Sequence, residues 1–240
     1  MSAPTTAMVL AAGLGTRMRP LTDDRPKALV EVGGRALIDH MLDRLAAAGV
    51  ERAVVNVHAH ADRLIAHLSA REAAPKTVIS DERDASAPLE TGGGLKRARS
   101  LLGEAPVWVA NIDSVWIEQA PAMPALAAAW RPAEMDSLLL FARMERTLGF
   151  DGAGDAFLDD GGRVTLRRAA GADTAPLAYM GVHITHPRLA YAHDEDAFSL
   201  FPLWVEQAGA GRLHGVVLDG DWMHVGDPAA RDAAEARLAA

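Results

Sequence analysis

The sequence predicts an α/β fold in three layers, a mostly parallel central sheet with helices on both faces. Three observations predict it. In the first half, short apolar runs alternate with stretches of helical hydrophobic spacing. The first apolar run ends in Gly13 and Gly15, the composition of a tight strand-to-helix turn. Half of the 240 residues are apolar, enough for one substantial core.

The elements follow in order. Residues 7–10 read as a buried strand. Residues 36–48 read as a helix, because Leu37, Ile38, Met41, Leu42 and Leu45 share one face, and Gly49 is a plausible stop. Arg52–Val57 is a second strand, 62–70 a second helix and 77–80 a third strand. Residues 95–102 read as helix and 106–110 as another apolar strand. The second half is richer in strands: Ser137–Arg143, a hairpin over 155–168 with its turn at 159–162, and 177–184. Helices are expected over 198–207 and 232–238. No repeat or linker separates the halves. A single domain over 1–240 is expected, with one half near 1–135 and an interleaved half near 136–240 sharing its sheet.

Charge and composition exclude several classes. The net charge of −8 argues against general nucleic-acid binding, which needs a basic footprint, and against a polybasic membrane contact. With no cysteine, disulfides and thiolate metal sites are impossible. The N-terminus has no charged region before an apolar stretch, and no apolar run reaches membrane-spanning length. A cytoplasmic protein, monomeric or a small homo-oligomer, is the expectation.

The most informative segment runs from Leu10 to Lys27. Leu10, Ala11 and Ala12 lead into Gly13, Gly15, Thr16 and Arg17. Arg17, Arg19, Arg25 and Lys27 then fall within eleven positions, opposed only by Asp23 and Asp24. Glycines let backbone N–H groups approach an anion, Arg17 offers a planar fork and Lys27 a compact charge. A positive island beside a glycine turn, in an acidic chain, points to a polyphosphate pocket. It is not a P-loop, whose G-x-x-x-x-G-K-[ST] pattern is absent, nor a dinucleotide fingerprint, because Met18 stands where the third glycine belongs.

The segment instead resembles the signature L-A-A-G-x-G-T-R-x-x-P-x-T-x-x-x-P-K of the sugar-1-phosphate nucleotidyltransferases, and every fixed position is met. The resemblance implies a Rossmann-like three-layer nucleotidyltransferase fold with a small β-rich sugar-binding part, the nucleotide going to the first half. It implies nucleotide binding by Leu10, Ala11, Ala12, Gly13, Gly15, Thr16 and Arg17, with Arg17 and Lys27 catalytic. Asn111-Ile112-Asp113 resembles the family's N-x-D, which implies that Asp113 is a catalytic magnesium ligand and that Asn111 lies near the sugar phosphate. Glu90-Thr91-Gly92-Gly93-Gly94 resembles E-T-G-G-G, a segment bordering the base, which implies nucleotide contacts at Gly92 and Gly93. The strand Tyr179 to Ile184 resembles the family's G-[IV]-x-I strand and implies a sugar contact at Gly181. Gly152, Gly154 and Asp155 resemble a G-D-F segment, with Ala156 intervening before Phe157, and imply sugar-phosphate contacts at Gly152 and Asp155.

One motif departs. Trp222-Met223-His224-Val225-Gly226-Asp227-Pro228 resembles W-x-D-[VI]-G-T-P, but His224 replaces the second carboxylate and Asp227 the threonine. Either His224 contacts phosphate or a softer metal, or Asp227 or Asp221 supplies the carboxylate. The implied metal set is Asp113, His224 and Asp227, with Mg²⁺ the expected ion and Mn²⁺ the alternative. His58, His60 and His67 read as surface or strand-end residues.

The implied partners are a nucleoside triphosphate and a sugar 1-phosphate, joined with release of pyrophosphate. Within the family the chain is most similar to the short uridylyltransferases acting on N-acetylmuramate 1-phosphate in cell-wall sugar recycling. Mannose-1-phosphate guanylyltransferases are the second reading, and a non-catalytic nucleotide-sugar regulator the third.

Overall fold

A computed structural model describes residues 3–240. Strand β1 (Thr6–Leu10) leads through two 3-10 turns, Thr16–Met18 and Lys27–Leu29, and a small hairpin of β2 (Glu31–Val32) and β3 (Arg35–Ala36), to helix α1 (Leu37–Ala47). Then come β4 (Arg52–Val57), α2 (Ala61–Ala70), β5 (Lys76–Asp81), α3 (Glu90–Arg97), α4 (Arg99–Leu102), β6 (Val107–Asn111), β7 (Ser114–Glu118) and α5 (Ala122–Ala129). The second half holds β8 (Ser137–Arg143), β9 (Thr147–Leu148), β10 (Ala156–Leu158), β11 (Val164–Leu166), β12 (Leu177–Thr185), α6 (Arg188–Tyr191), α7 (Phe201–Gly209), β13 (Leu213–Val217), β14 (Gly220–His224) and α8 (Pro228–Ala239).

The main sheet runs β5-β4-β1-β6-β12-β8-β13, and the β10-β11 hairpin joins the N-terminal end of β12. Only β12 on that path runs against its neighbours. This is the expected mostly parallel α/β sheet. Strands buried on both faces are apolar at nearly every position. In β1, Ala7 and Val9 pack with the α1 side chains Leu37, Met41 and Leu45, while Met8 faces Leu95 and Leu102 from the other layer. The carboxyl ends of β1, β4, β5 and β6 open on one edge, where ligands of such sheets bind, and the reversed β12 brings its first residues to the same edge.

Several boundaries differ from the sequence expectation. Helix α3 starts at Glu90, so Gly92, Gly93 and Gly94 lie inside a helix rather than in a loop before one. Tertiary packing overrides their low helix propensity. The N–H groups of Gly92 and Gly93 donate to Phe198 O, at 2.8 and 3.1 Å, and the Phe198 ring and Asp196 carbonyl fill the space where their Cβ atoms would stand. Lys96 Nζ fastens the same segment by donating to His193 O at 2.9 Å and Glu195 O at 3.0 Å, and it pairs with Asp196. The Gly93→Ala variant is therefore expected to lose about 1–3 kcal/mol of stability in urea unfolding, the usual range for overpacking. An unchanged midpoint would mean that the 196–198 segment yields freely.

Helix α8 begins at Pro228, four residues before the expected start, because Asp227 caps it and proline suits the first turn. Helix α7 begins at Phe201 instead of 198. Strands β7, β13 and β14 are not in the sequence reading. β14 pairs β7 and parallel β9 in a separate three-stranded sheet.

Candidate active site

The glycine turn stands at the carboxyl end of β1. Gly15 adopts φ 63°, ψ 24°, a left-handed conformation, and its Cβ position is crowded by Lys27 and Thr22 at 3.2 Å. Both features require glycine there. Thr22 Oγ1 donates to Gly15 O at 2.8 Å and closes the turn. Leu10, Ala11, Gly13, Gly15, Thr16, Arg17, Lys27, Asn111 and Asp113 all line one cavity of about 260 Å³. Ala12 lines a second cavity of about 330 Å³, which shares Leu10, Gly13, Leu14 and Asn111 with the first and is therefore continuous with it.

The sequence reading missed what holds the turn. Asn56 Oδ1 accepts from the N–H of Ala11 at 2.6 Å and of Ala12 at 3.2 Å, and Asn56 Nδ2 donates to Glu82 Oε1 at 2.8 Å. Both residues line the second cavity, with Glu90 and Thr91. Burial raises the Glu82 carboxyl above its usual range against the opposing hydrogen bond from Asn56, and Glu82 Oε2 is buried without a partner among the described residues. The signal was legible: Asn56 is the one polar residue in Ala53-Val54-Val55-Asn56-Val57.

Lys27 Nζ and Asp113 Oδ2 form an ion pair of 2.8 Å across 86 positions of sequence. Asp113 sits between β6 and β7, and the pairing of β14 with β7 sets His224 opposite Ser114. His224 Nε2 consequently lies 3.4 Å from Asp113 Oδ2. Burial would raise the Asp113 carboxyl, but the hydrogen bond from His224 and the charge of Lys27 outweigh it and hold the group ionised. His224 Nδ1 lies 3.1 Å from Gly149 O while Nε2 faces the carboxylate, so both ring nitrogens meet acceptors, the setting of a protonated imidazole. The Asp113 hydrogen bond raises the imidazole above its ordinary value against the opposing burial. Gly226 is the only residue type that leaves the ring its place, since a Cβ there would stand 2.8 Å from His224 Cε1.

Asp227 is not part of this group. Its Oδ1 accepts from Ala230 N at 2.8 Å as the cap of α8, and Asp221 pairs with Arg146 and Arg237. Among the described residues no three His, Asp or Glu side chains converge as a metal set. Gly92 and Gly93 likewise line neither cavity, because they face the 196–198 segment. Gly181 has φ 78° at an irregularity of β12, and a Cβ there would stand 2.9 Å from the Asn111 side chain. Gly181 and Asn111 are thus brought together. Asp155 Oδ2 accepts from Tyr179 N at 2.8 Å, two residues along the same strand. The Cβ position of Gly152 is occupied by the Phe150 ring, whose other neighbours are Trp222 and His224.

The profile of the MobA-like NTP transferase domain matches residues 7–213. The chain belongs to the MobA-like NTP transferase family. Within that family it is 61% identical, over 99% of its length and 98% of the relative's, to N-acetylmuramate alpha-1-phosphate uridylyltransferase of Caulobacter vibrioides. Mannose-1-phosphate guanyltransferase of Aspergillus fumigatus is 41% identical over 45% of this chain and 30% of its own. The crystal structure of HddC from Yersinia pseudotuberculosis complexed with GMP-PN superposes with a TM-score of 0.76 at 18% identity, covering 98% of this chain and all of that one, which establishes the shared fold. The protein is a sugar-1-phosphate nucleotidyltransferase. No helix among the described residues is long and apolar enough to cross a membrane.

MobA-like NTP transferases are typically dependent on a divalent metal. The residues present fit such an ion in one way. Among the described residues Asp113 Oδ1 has no hydrogen-bond partner, and a single carboxylate completed by phosphate oxygens and water is a normal magnesium arrangement.

Proposed function

We propose that the protein transfers UMP from UTP to N-acetylmuramate 1-phosphate, releasing pyrophosphate, as a step of cell-wall sugar recycling. The observation that carries the reading is the full-length 61% identity to an N-acetylmuramate alpha-1-phosphate uridylyltransferase, joined to the Lys27–Asp113–His224 cluster at the mouth of the glycine turn. The acceptor phosphate is already an anion near neutral pH. Its attack on the α-phosphate needs no general base, only alignment and relief of charge repulsion.

In this reading the backbone N–H groups from Gly13 to Thr16 and the Arg17 fork cradle the triphosphate. Lys27 neutralises charge at the reacting phosphorus. Asn111, Gly181 and Asp155 hold the sugar, with Asp155 Oδ1, which has no partner among the described residues, accepting from a ring substituent. A divalent cation, held by Asp113 Oδ1 with substrate oxygens, would supply further charge neutralisation. Residues 1–135 would then carry the nucleotide and 136–240 most of the sugar.

The base enters the cavity under Asn56, Glu82, Pro88 and Glu90. Glu82 is fully buried, with Oε1 taken by Asn56 and Oε2 enclosed, so it shapes the back of that cavity and steadies Asn56. Initial rates with UTP, GTP, dTTP, CTP and ATP on N-acetylmuramate and mannose 1-phosphates test the assignment. UTP should lead. Preference for GTP with mannose 1-phosphate would replace it with the guanylyltransferase reading.

We further propose that His224 tunes the metal toward Mn²⁺, since imidazole suits it better than Mg²⁺. The His224→Asp variant should shift the ratio of Mn²⁺- to Mg²⁺-supported activity back toward Mg²⁺, and His224→Ala should weaken metal affinity about tenfold. Identical metal dependence in all three proteins would remove His224 from the metal.

A further inference from the structure

A third cavity, of about 240 Å³, is lined by Asp155, Leu166, Arg167, Arg168 and Phe201. Two guanidinium groups against one carboxylate make it positive, in a chain whose net charge is −8. The arginines are not used as others of the same half are. Arg146, Arg188 and Arg212 each hold an aspartate. Arg167 instead donates Nε to Gly154 O at 2.8 Å and Nη1 to Asp173 O at 3.3 Å, backbone carbonyls that fix its position without neutralising it. Arg168 has no hydrogen-bonded or ion-paired partner among the described residues, so its fork is open to a ligand. The rest of the lining is apolar: Leu166 is buried, and Phe201 is 41% exposed at the first turn of α7.

The cavity adjoins the proposed sugar site through Asp155, which lines it. Arg167 N donates to Asp155 O at 2.8 Å, and Asp155 is bound to Tyr179. Gly181, against Asn111 of the phosphate cavity, is two residues further along β12.

We propose that this cavity is a carboxylate subsite, in which the Arg168 fork receives the carboxylate of the acceptor's lactyl ether while Phe201 and Leu166 cover the lactyl methyl group. The inference rests on N-acetylmuramate 1-phosphate as acceptor. It assigns the specificity of the sugar half to a charged contact. A charge-assisted pair with an arginine fork is among the stronger polar contacts, and a site built for such a group disfavours an analogue lacking it.

N-acetylglucosamine 1-phosphate is the same sugar phosphate without the lactyl group, so the two acceptors isolate the contact. With UTP, kcat/KM is measured for both on wild type, Arg168→Met, Arg168→Lys and Arg168→Glu, alongside thermal midpoints. The expected result is a wild-type preference for the muramate ester that falls about tenfold or more in Arg168→Met, through KM rather than kcat. The loss should be smaller in Arg168→Lys and greater in Arg168→Glu. An unchanged preference in Arg168→Met and Arg168→Glu would overturn the subsite while leaving the acceptor assignment standing. A wild-type enzyme that turns over N-acetylglucosamine 1-phosphate but not the muramate ester would overturn both.

Discussion

Replacing Asp113 by asparagine is expected to lower kcat by about 10²-fold or more, the range for loss of a charge-stabilising group. The substitution keeps the size of the side chain and removes its charge. Two neighbours depend on that charge: Lys27 at 2.8 Å and His224 at 3.4 Å. The variant would therefore leave Lys27 uncompensated in a largely buried setting, where loss of one partner is costly. It should also bind the divalent ion more weakly. Turnover at saturating substrate, titrated with metal, reads the first effect, and a urea melt reads the second. Near-wild-type kcat at saturating metal and substrate would show that Asp113 serves only to position Lys27 in the resting protein.

Arg17→Ala is expected to cost a similar factor in kcat with little change in stability. Arg17 is exposed on the 3-10 turn after Gly15, with no ionic partner among the described residues, and it lines the cavity that holds Lys27 and Asp113. Its fork is thus available only to substrate. A lost phosphate clamp of this kind is worth about 3 kcal/mol, or roughly 10² in rate. If kcat persists at saturation and only KM rises, Arg17 contributes uniform binding and not transition-state stabilisation.

Much of the fold was legible because its strongest elements are local. The run 7–10, the Leu37–Leu45 stripe and the strand Arg52–Val57 carry their periodicity in a few residues, and the structure has them within one residue of expectation. The glycine turn was legible for a different reason: a left-handed backbone and a crowded Cβ position leave glycine as the fitting residue at 15. What escaped depends on contacts distant in sequence. Three consecutive glycines are helical because Phe198 and Asp196 pack where side chains of Gly92 and Gly93 would be, and Asn56 and Glu82 crowd that of Gly94. Strand β14 exists because β7 pairs with it, and its residues carry a motif whose spacing masks the alternation. Asp227 looked like a metal ligand in the motif and is a helix cap in the fold, a role that the following Pro228 signals. Asn56 and Glu82 act together across 26 positions, a link no window of sequence displays.

The most direct test of the central claim is the product formed from UTP and N-acetylmuramate 1-phosphate with a divalent metal. Mass spectrometry of the reaction, with pyrophosphate measured in parallel, reports both halves of the transfer. One equivalent of pyrophosphate for each UDP-N-acetylmuramate formed is the expected result. Release of pyrophosphate from GTP and mannose 1-phosphate but not from this pair, or binding of UTP with no pyrophosphate from any sugar 1-phosphate, would contradict it.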